Sequence, residues 1–234
     1  KCFAHCQTWQ RQQQTHINIY LSLSSWLICQ NYADRIGYNM KKVLIACEYS
    51  GRVRAALRAK GVDAWSCDIL ASDDDSQYHI QGDLTEVLQQ HQWFAVIAFP
   101  PCTHLAVSGA RHFHKKEQQQ KDALAFVQML FDYDCEYLCI ENPIGIISTK
   151  IKKPSQYIQP YNFGHPVSKK TCLWLRGLPK LQGTNNVYDQ VEWAVAKSGK
   201  RICKWYNSKS GHQRSMTFEN IATQMAEQWH TYLI

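Results

Sequence analysis

From residue 40 onward the chain alternates short, largely apolar runs with longer stretches of helical periodicity. Residues 43–47, 64–67, 94–98 and 137–140 are runs of four or five residues with few polar members. Runs that short, apolar without strict alternation, predict strands buried on both faces of a parallel sheet. Residues 79–81 and 171–175 extend the set of strands. Between them, residues 52–60 (closed by Gly61), 84–90 and 117–131 predict helices. The last of these carries Leu124, Val127, Leu130 and Phe131 on one helical face. A closing helix is expected over 220–232. This β-α-β alternation predicts an α/β domain with a doubly wound parallel sheet, and no internal repeat interrupts it.

The first 39 residues do not continue the pattern. Residues 7–14 are rich in Gln, and residues 17–28 are apolar with several serines, with no sustained period in either. Met40-Lys41-Lys42 opens directly into the first strand, so residues 1–39 are expected to be a non-native or disordered extension. No apolar run reaches the ~18 residues of a membrane-spanning helix. The ten cysteines contain no Cys-x-x-Cys; Cys2/Cys6 and Cys135/Cys139 are isolated pairs four apart. A structural zinc site draws on two close pairs of ligands, so no metal is expected. Thiols scattered through apolar strands fit a reducing, cytoplasmic setting.

Charge divides the chain. Residues 40–149 carry 10 Lys/Arg against 14 Asp/Glu, whereas residues 150–215 carry 13 against 2. Trp174, Trp193, Trp205, Tyr188 and Tyr206 interleave with the basic block, a combination that favours a nucleic-acid partner over a membrane.

Two strand ends carry the candidate chemistry. Pro100-Pro101 cannot continue a ladder, so the strand over 94–98 stops and Cys102 lies just past its carboxyl end. That is the edge of an open α/β sheet where ligands bind. The strand over 137–140 ends in Glu141-Asn142-Pro143. One sheet edge thus receives a thiol and a carboxyl, a nucleophile and a proton donor. Other strand ends suit a nucleoside cofactor. Gly51 lets a ligand approach a helix N-terminus. Asp68 is placed for ribose hydroxyls, and Asp83 for an adenine amino group.

Together these motifs resemble the DNA cytosine-5-methyltransferase family, in the compact form found in phages and prophages, over nearly all of residues 40–234. Phe99-Pro100-Pro101-Cys102 matches the family's Pro-Cys nucleophile motif, and residues 105–111, ending in Arg111, resemble its catalytic loop. Glu141-Asn142-Pro143 matches the Glu-Asn-Val motif, and Gly82-Asp83-Leu84 the adenine-side motif. Phe163-Gly164-His165-Pro166 matches the Tyr-Gly-x-Pro that precedes a Gln-x-Arg-x-Arg strand. The resemblance implies a Rossmann-like fold that binds S-adenosylmethionine, with Cys102 and Glu141 catalytic. It implies cofactor contacts from Glu48, Gly51, Asp68, Asp83 and Pro100. It implies contacts from Arg111, Lys169, Lys170, Thr171 and Arg214 to double-stranded DNA whose target cytosine is flipped out.

The sequence departs from the family in places. The Phe-x-Gly-x-Gly turn is here residues 46–51, with Gly51 alone. Thr103 replaces the Gln after the nucleophile, and Val167, Lys169 and Thr171 occupy the Gln-x-Arg-x-Arg positions. The expected organisation is a catalytic core over 40–175, a very small basic recognition segment over 176–213 and a closing helix over 214–234. RNA, free pyrimidine nucleotides and a non-catalytic nucleic-acid binder remain as alternatives to a DNA methyltransferase.

Overall fold

The computed structural model describes residues 41–107, 117–196 and 199–234. Its elements, in chain order, are β1 (Val43–Ala46), α1 (Arg52–Arg58), β2 (Ala64–Asp68), β3 (His79–Gln81), α2 (Leu84–Gln90) and β4 (Ala95–Ala98). They continue with α3 (Glu117–Asp132), β5 (Tyr137–Pro143), α4 (Ile147–Lys150), β6 (Gln156–Ile158), β7 (Thr171–Arg176), β8 (Trp193–Val195) and β9 (Arg201–Cys203). Two short helices, α5 (Trp205–Ser208) and α6 (Gly211–Ser215), lead into α7 (Glu219–Leu233).

A seven-stranded sheet has the order β3-β2-β1-β4-β5-β7-β6. β1 to β5 pair in parallel, and β7 runs antiparallel between β5 and β6. This is a Rossmann-like, doubly wound fold. From β1 the chain winds outward to β2 and β3, then returns to β4 and winds the other way. The crevice between the ends of β1 and β4 is therefore the switch point where such sheets bind ligands.

Both faces of the sheet are covered, which explains why its central strands are apolar at every position. Val43, Ile45, Ala95 and Ile97 face one core with Leu57 of α1 and Met225 and Trp229 of α7. Leu44, Ala46, Val96 and Ala98 face the other, with Val87 of α2 and Val127 and Leu130 of α3.

Two sequence expectations need correction. The sheet is mixed rather than wholly parallel. β5 also does not stop before Glu141: it runs on to Pro143, because β7 pairs with it residue for residue from Leu138↔Arg176 to Pro143↔Thr171. Glu141 is thus held inside a strand, beyond the point where β4 has ended opposite Ile140. The basic segment after β7 has no core of its own: Leu178, Leu181, Val191 and Cys203 join the cluster that contains Trp229. Hydrogen bonds from Trp229 Nε1 to the Pro179 carbonyl (3.0 Å) and between Gln182 and Gln228 fasten it to α7.

Candidate active site at the carboxyl edge of the sheet

The Phe99 amide donates to the Ala46 carbonyl (2.9 Å), carrying the pairing of β1 and β4 one residue past the strand. The prolines then end it, and Cys102 is exposed at the edge. Two contacts tie this turn to the end of β5. The buried Asn142 side chain donates to the Pro100 carbonyl (2.7 Å). Further on, Ile146 N donates to the Leu105 carbonyl (2.9 Å) and Val107 N to the Ile144 carbonyl (3.0 Å), a bridge that brings Ala106 opposite Gly145. A Cβ on Gly145 would overlap the Leu105 carbonyl, so only glycine allows this approach. The nucleophile candidate and the Glu141 strand are therefore tied together by a side-chain hydrogen bond before Cys102 and backbone hydrogen bonds after it.

Glu141 lies half-buried beside a recess of about 20 Å³, walled by Lys169, Thr171, Met216, Phe218 and Met225. Burial pushes its carboxyl above the ordinary carboxylate range, while the Lys169 charge and the Thr171 hydroxyl pull it back. The Cys102 thiol is likewise pushed up, first by the surrounding protein and then by Glu141, and Lys169 opposes both. Lys169 is the common neighbour. Its ammonium donates to the Arg214 carbonyl (2.9 Å), which anchors it on this side of the molecule rather than out in solvent. Lys169, expected among the nucleic-acid-contacting residues, lines the same recess as Glu141.

The switch-point side is built by the β1–α1 turn. Cys47 (φ 58°) and Gly51 (φ 67°) both adopt left-handed backbone. Glu48, which was expected to touch a cofactor, turns inward instead. Its carboxylate accepts from the amides of Val53 (2.7 Å) and Arg54 (3.2 Å) at the N-terminus of α1. At 4% exposure its pKa is pushed up to about 7, burial outweighing those amides and the Arg54 charge. Arg54, itself buried, reaches back to Ser66 of β2 (2.6 Å) and to Asp74, which pins the loop over 69–78 against this turn. The Asp73 amide completes the attachment on the Tyr49 carbonyl (2.9 Å).

Asp68 and Asp83 come together here. β2 pairs with β3 up to Asp68↔Gln81 and the Gly82 amide donates to the Asp68 carbonyl (2.9 Å), which sets the two strand ends side by side; burial, then Asp68 and Asp83, push the nearby Cys47 thiol up. Asp68 accepts from the Leu70 amide (3.0 Å), and Asp83 caps α2 through the Thr85 amide (2.7 Å). Two residues that sequence reasoning missed stand at the same edge: Ile69 is 75% exposed and Leu70 48%. Their signal was available as an apolar pair directly after an acidic strand end.

The remaining expected nucleic-acid contacts lie near Lys169, whose ammonium donates to the Arg214 carbonyl. Lys170 lies over the Tyr157 ring (4.4 Å), and Arg214 reaches the Tyr206 carbonyl (3.4 Å). Arg111 lies outside the described residues. A cleft of about 930 Å³ lies between His165, Trp205, Lys204 and the start of α1 at Arg52; it shares Met216 and Phe218 with the Glu141 recess, but neither Cys102 nor Asp68 lines it. Among the described residues no cluster of three or more metal-ligand side chains occurs, and no helix is long and apolar enough to cross a membrane.

No protein-family model matches the sequence, and no curated protein matches it either. Among solved structures, the chain is similar to a mutant of Spodoptera frugiperda DNMT2, at 16% identity and a TM-score of 0.39. That match covers 60% of this chain and 52% of the other, so the chain corresponds to about half of that protein's length.

Proposed function

We propose that the protein transfers a methyl group to carbon-5 of cytosine in nucleic acid, duplex DNA first, through a covalent adduct at Cys102. The observation that carries this reading is the pairing of Cys102 with Glu141 on one locked sheet edge, with Lys169 acting on both.

Carbon-5 of cytosine is a weak nucleophile, because attack from it sacrifices aromaticity. The Cys102 thiolate adds to carbon-6, forming a C–S bond and turning the ring into an enamine. Burial favours the protonated form of the Glu141 carboxyl, which donates its proton to N3 as negative charge builds there. Lys169 favours the thiolate at the moment of addition. After methylation, water takes the carbon-5 proton, the C–S bond breaks with the thiolate leaving, and N3 returns its proton to Glu141. The target base must leave its stack to reach Cys102. The recess beside Glu141 has room for about one water, so an arriving base displaces the wall formed by Met216 and Phe218.

S-adenosylmethionine supplies an activated methyl group when bound. The residues at the switch point fit it. Asp68 offers a carboxylate oxygen for ribose hydroxyls, the exposed Ile69 side chain offers an apolar face for adenine, and the Asp83–Leu84 turn offers backbone at the adenine edge. A Cβ at Gly51 of the β1–α1 turn would meet the Arg54 guanidinium and the Asp74 carboxylate, so the glycine makes room for that ion pair rather than for a ligand. Glu48 supports this turn from beneath and makes no contact of its own.

The test is transfer of labelled methyl from S-adenosylmethionine to duplex DNA, RNA and free deoxycytidine monophosphate. Label on carbon-5 of cytosine in polymer, abolished in Cys102→Ser, is the expected result; absence of transfer to all three contradicts the reading.

A further inference from the structure

The loop over 69–78, between β2 and β3, presents Ile69 and Leu70 at the sheet edge, yet none of its residues is buried. At its far end the Tyr78 ring rests on Trp65 and Arg58. The rest is held by polar contacts, and these converge on Arg54 of α1, which is 1% exposed. The Arg54 guanidinium donates to Ser66 of β2 (2.6 Å), to Ser72 (3.4 Å) and to both carboxylate oxygens of Asp74. Ser72 donates to Asp74 in turn (2.5 Å).

A second branch runs from Arg54 to the apolar pair itself. Ser66 Oγ accepts from Arg54, which leaves its own proton for His79 Nδ1 (2.8 Å). His79 Nε2 then donates to the Leu70 carbonyl (2.9 Å), a group that can only accept. Beside it, Gln81 donates to the Ile69 carbonyl (3.2 Å). Taking a guanidinium out of water is costly, and an apolar side chain of similar length would avoid that cost. What the buried charge holds, on both branches, is this loop.

We infer that Arg54 is a positioning residue for the adenosine half of the cofactor. From inside the fold, through Asp74 on one branch and Ser66 and His79 on the other, it fixes the backbone from which Ile69 and Leu70 meet the adenine. The inference rests on the S-adenosylmethionine reading of the switch point.

The experiment titrates the full chain with S-adenosylhomocysteine and with adenosine by calorimetry, beside amide hydrogen exchange of the free protein. Arg54→Met should weaken both ligands by about tenfold, since the adenosine half is common to them. Exchange should quicken at the Leu70 and Asp73 amides, which are bonded to Asp68 and Tyr49, and stay unchanged in β1 and β4. Asp74→Ala cuts the same tie from the loop side, at a side chain 44% exposed, and should weaken both ligands in the same direction; it keeps the test decisive if Arg54→Met does not fold. The KM for S-adenosylmethionine should rise about tenfold in Arg54→Met with kcat nearly kept, the pattern of lost binding rather than lost chemistry. The inference is overturned if the variants bind both ligands as wild type does, if S-adenosylhomocysteine weakens and adenosine does not, or if exchange quickens evenly through the sheet. Wild type that binds neither ligand would overturn it together with the cofactor reading. Wild type that binds both, with the expected losses in the variants but no methyl transfer to any substrate, would keep Arg54 in this role and sink the proposed function of Cys102.

Discussion

Glu141 and Lys169 push the proton affinity of Cys102 in opposite directions, and this gives a prediction with a definite sign. Ionised Glu141 raises the Cys102 thiol and Lys169 lowers it. Alkylation of Cys102 by iodoacetamide should therefore rise with pH toward a midpoint above the ordinary thiol value. Glu141→Gln should move that midpoint down and Lys169→Met should move it up. Two unmoved midpoints would mean that the three side chains do not face one another. Glu48 offers a second titration. Its carboxyl ordinarily titrates at 4.5 and is raised to about 7 in the fold. The folded state therefore binds the proton more tightly, and this contribution to stability is complete below pH 4.5 and lost as pH rises through 7. The size is on the order of 3 kcal/mol. Glu48→Gln keeps an acceptor for the α1 amides and should flatten that part of the stability–pH curve, as measured by urea unfolding. Cys102 and Glu141 were legible from sequence, because a proline pair and a Glu-Asn-Pro each follow an apolar run. The bond from Lys169 to the Arg214 carbonyl was not, since it joins elements distant in sequence; the inward turn of Glu48 onto the Val53 and Arg54 amides is local, and was hidden because a carboxylate after a strand end reads equally well as a ligand contact.

The elements meet where the chain after Cys102 bridges to Gly145. Gly145→Ala should push the Leu105 carbonyl away, destabilise the fold by about 1–3 kcal/mol and unlock Cys102 from the β5 end. The expected outcome is a large fall in transfer with DNA affinity nearly kept, read by single-turnover kinetics beside a binding titration; unchanged kinetics would show that this bridge does not position the nucleophile. The parallel strands and the long helices were legible because each carries its own period. The extension of β5 through Pro143 was hidden because Glu141-Asn142-Pro143 reads locally as a turn, and only pairing with β7 makes it a strand. β8 and β9 have three residues each, too few for alternation to register, although the glycine between them marks a hairpin in hindsight.

Across the whole molecule, charge is segregated: the half that holds the thiol and the carboxyls is acidic, and the segment fastened over α7 is basic. Composition alone revealed this division, but not that the basic segment shares the core around Trp229 instead of forming a module of its own. On the proposed nucleic-acid reading, the two halves make separable contributions to binding. Lys170→Ala should reduce the salt slope of binding by about 1. Lys169→Met should leave that slope nearly intact and lower the transfer rate, because its charge acts on Cys102; the reverse pattern would return Lys169 to the phosphate surface. The central claim is the covalent adduct, and it has a direct measurement. With 5-fluorocytosine in place of cytosine, the adduct forms and is methylated, but carbon-5 then has no proton to lose and the C–S bond cannot break. Incubation of the protein with S-adenosylmethionine and a 5-fluorocytosine duplex should give a complex stable to denaturant, with the base mapped by mass spectrometry to the peptide containing Cys102. A complex that dissociates on denaturation, or a base attached to any other residue, would contradict the account.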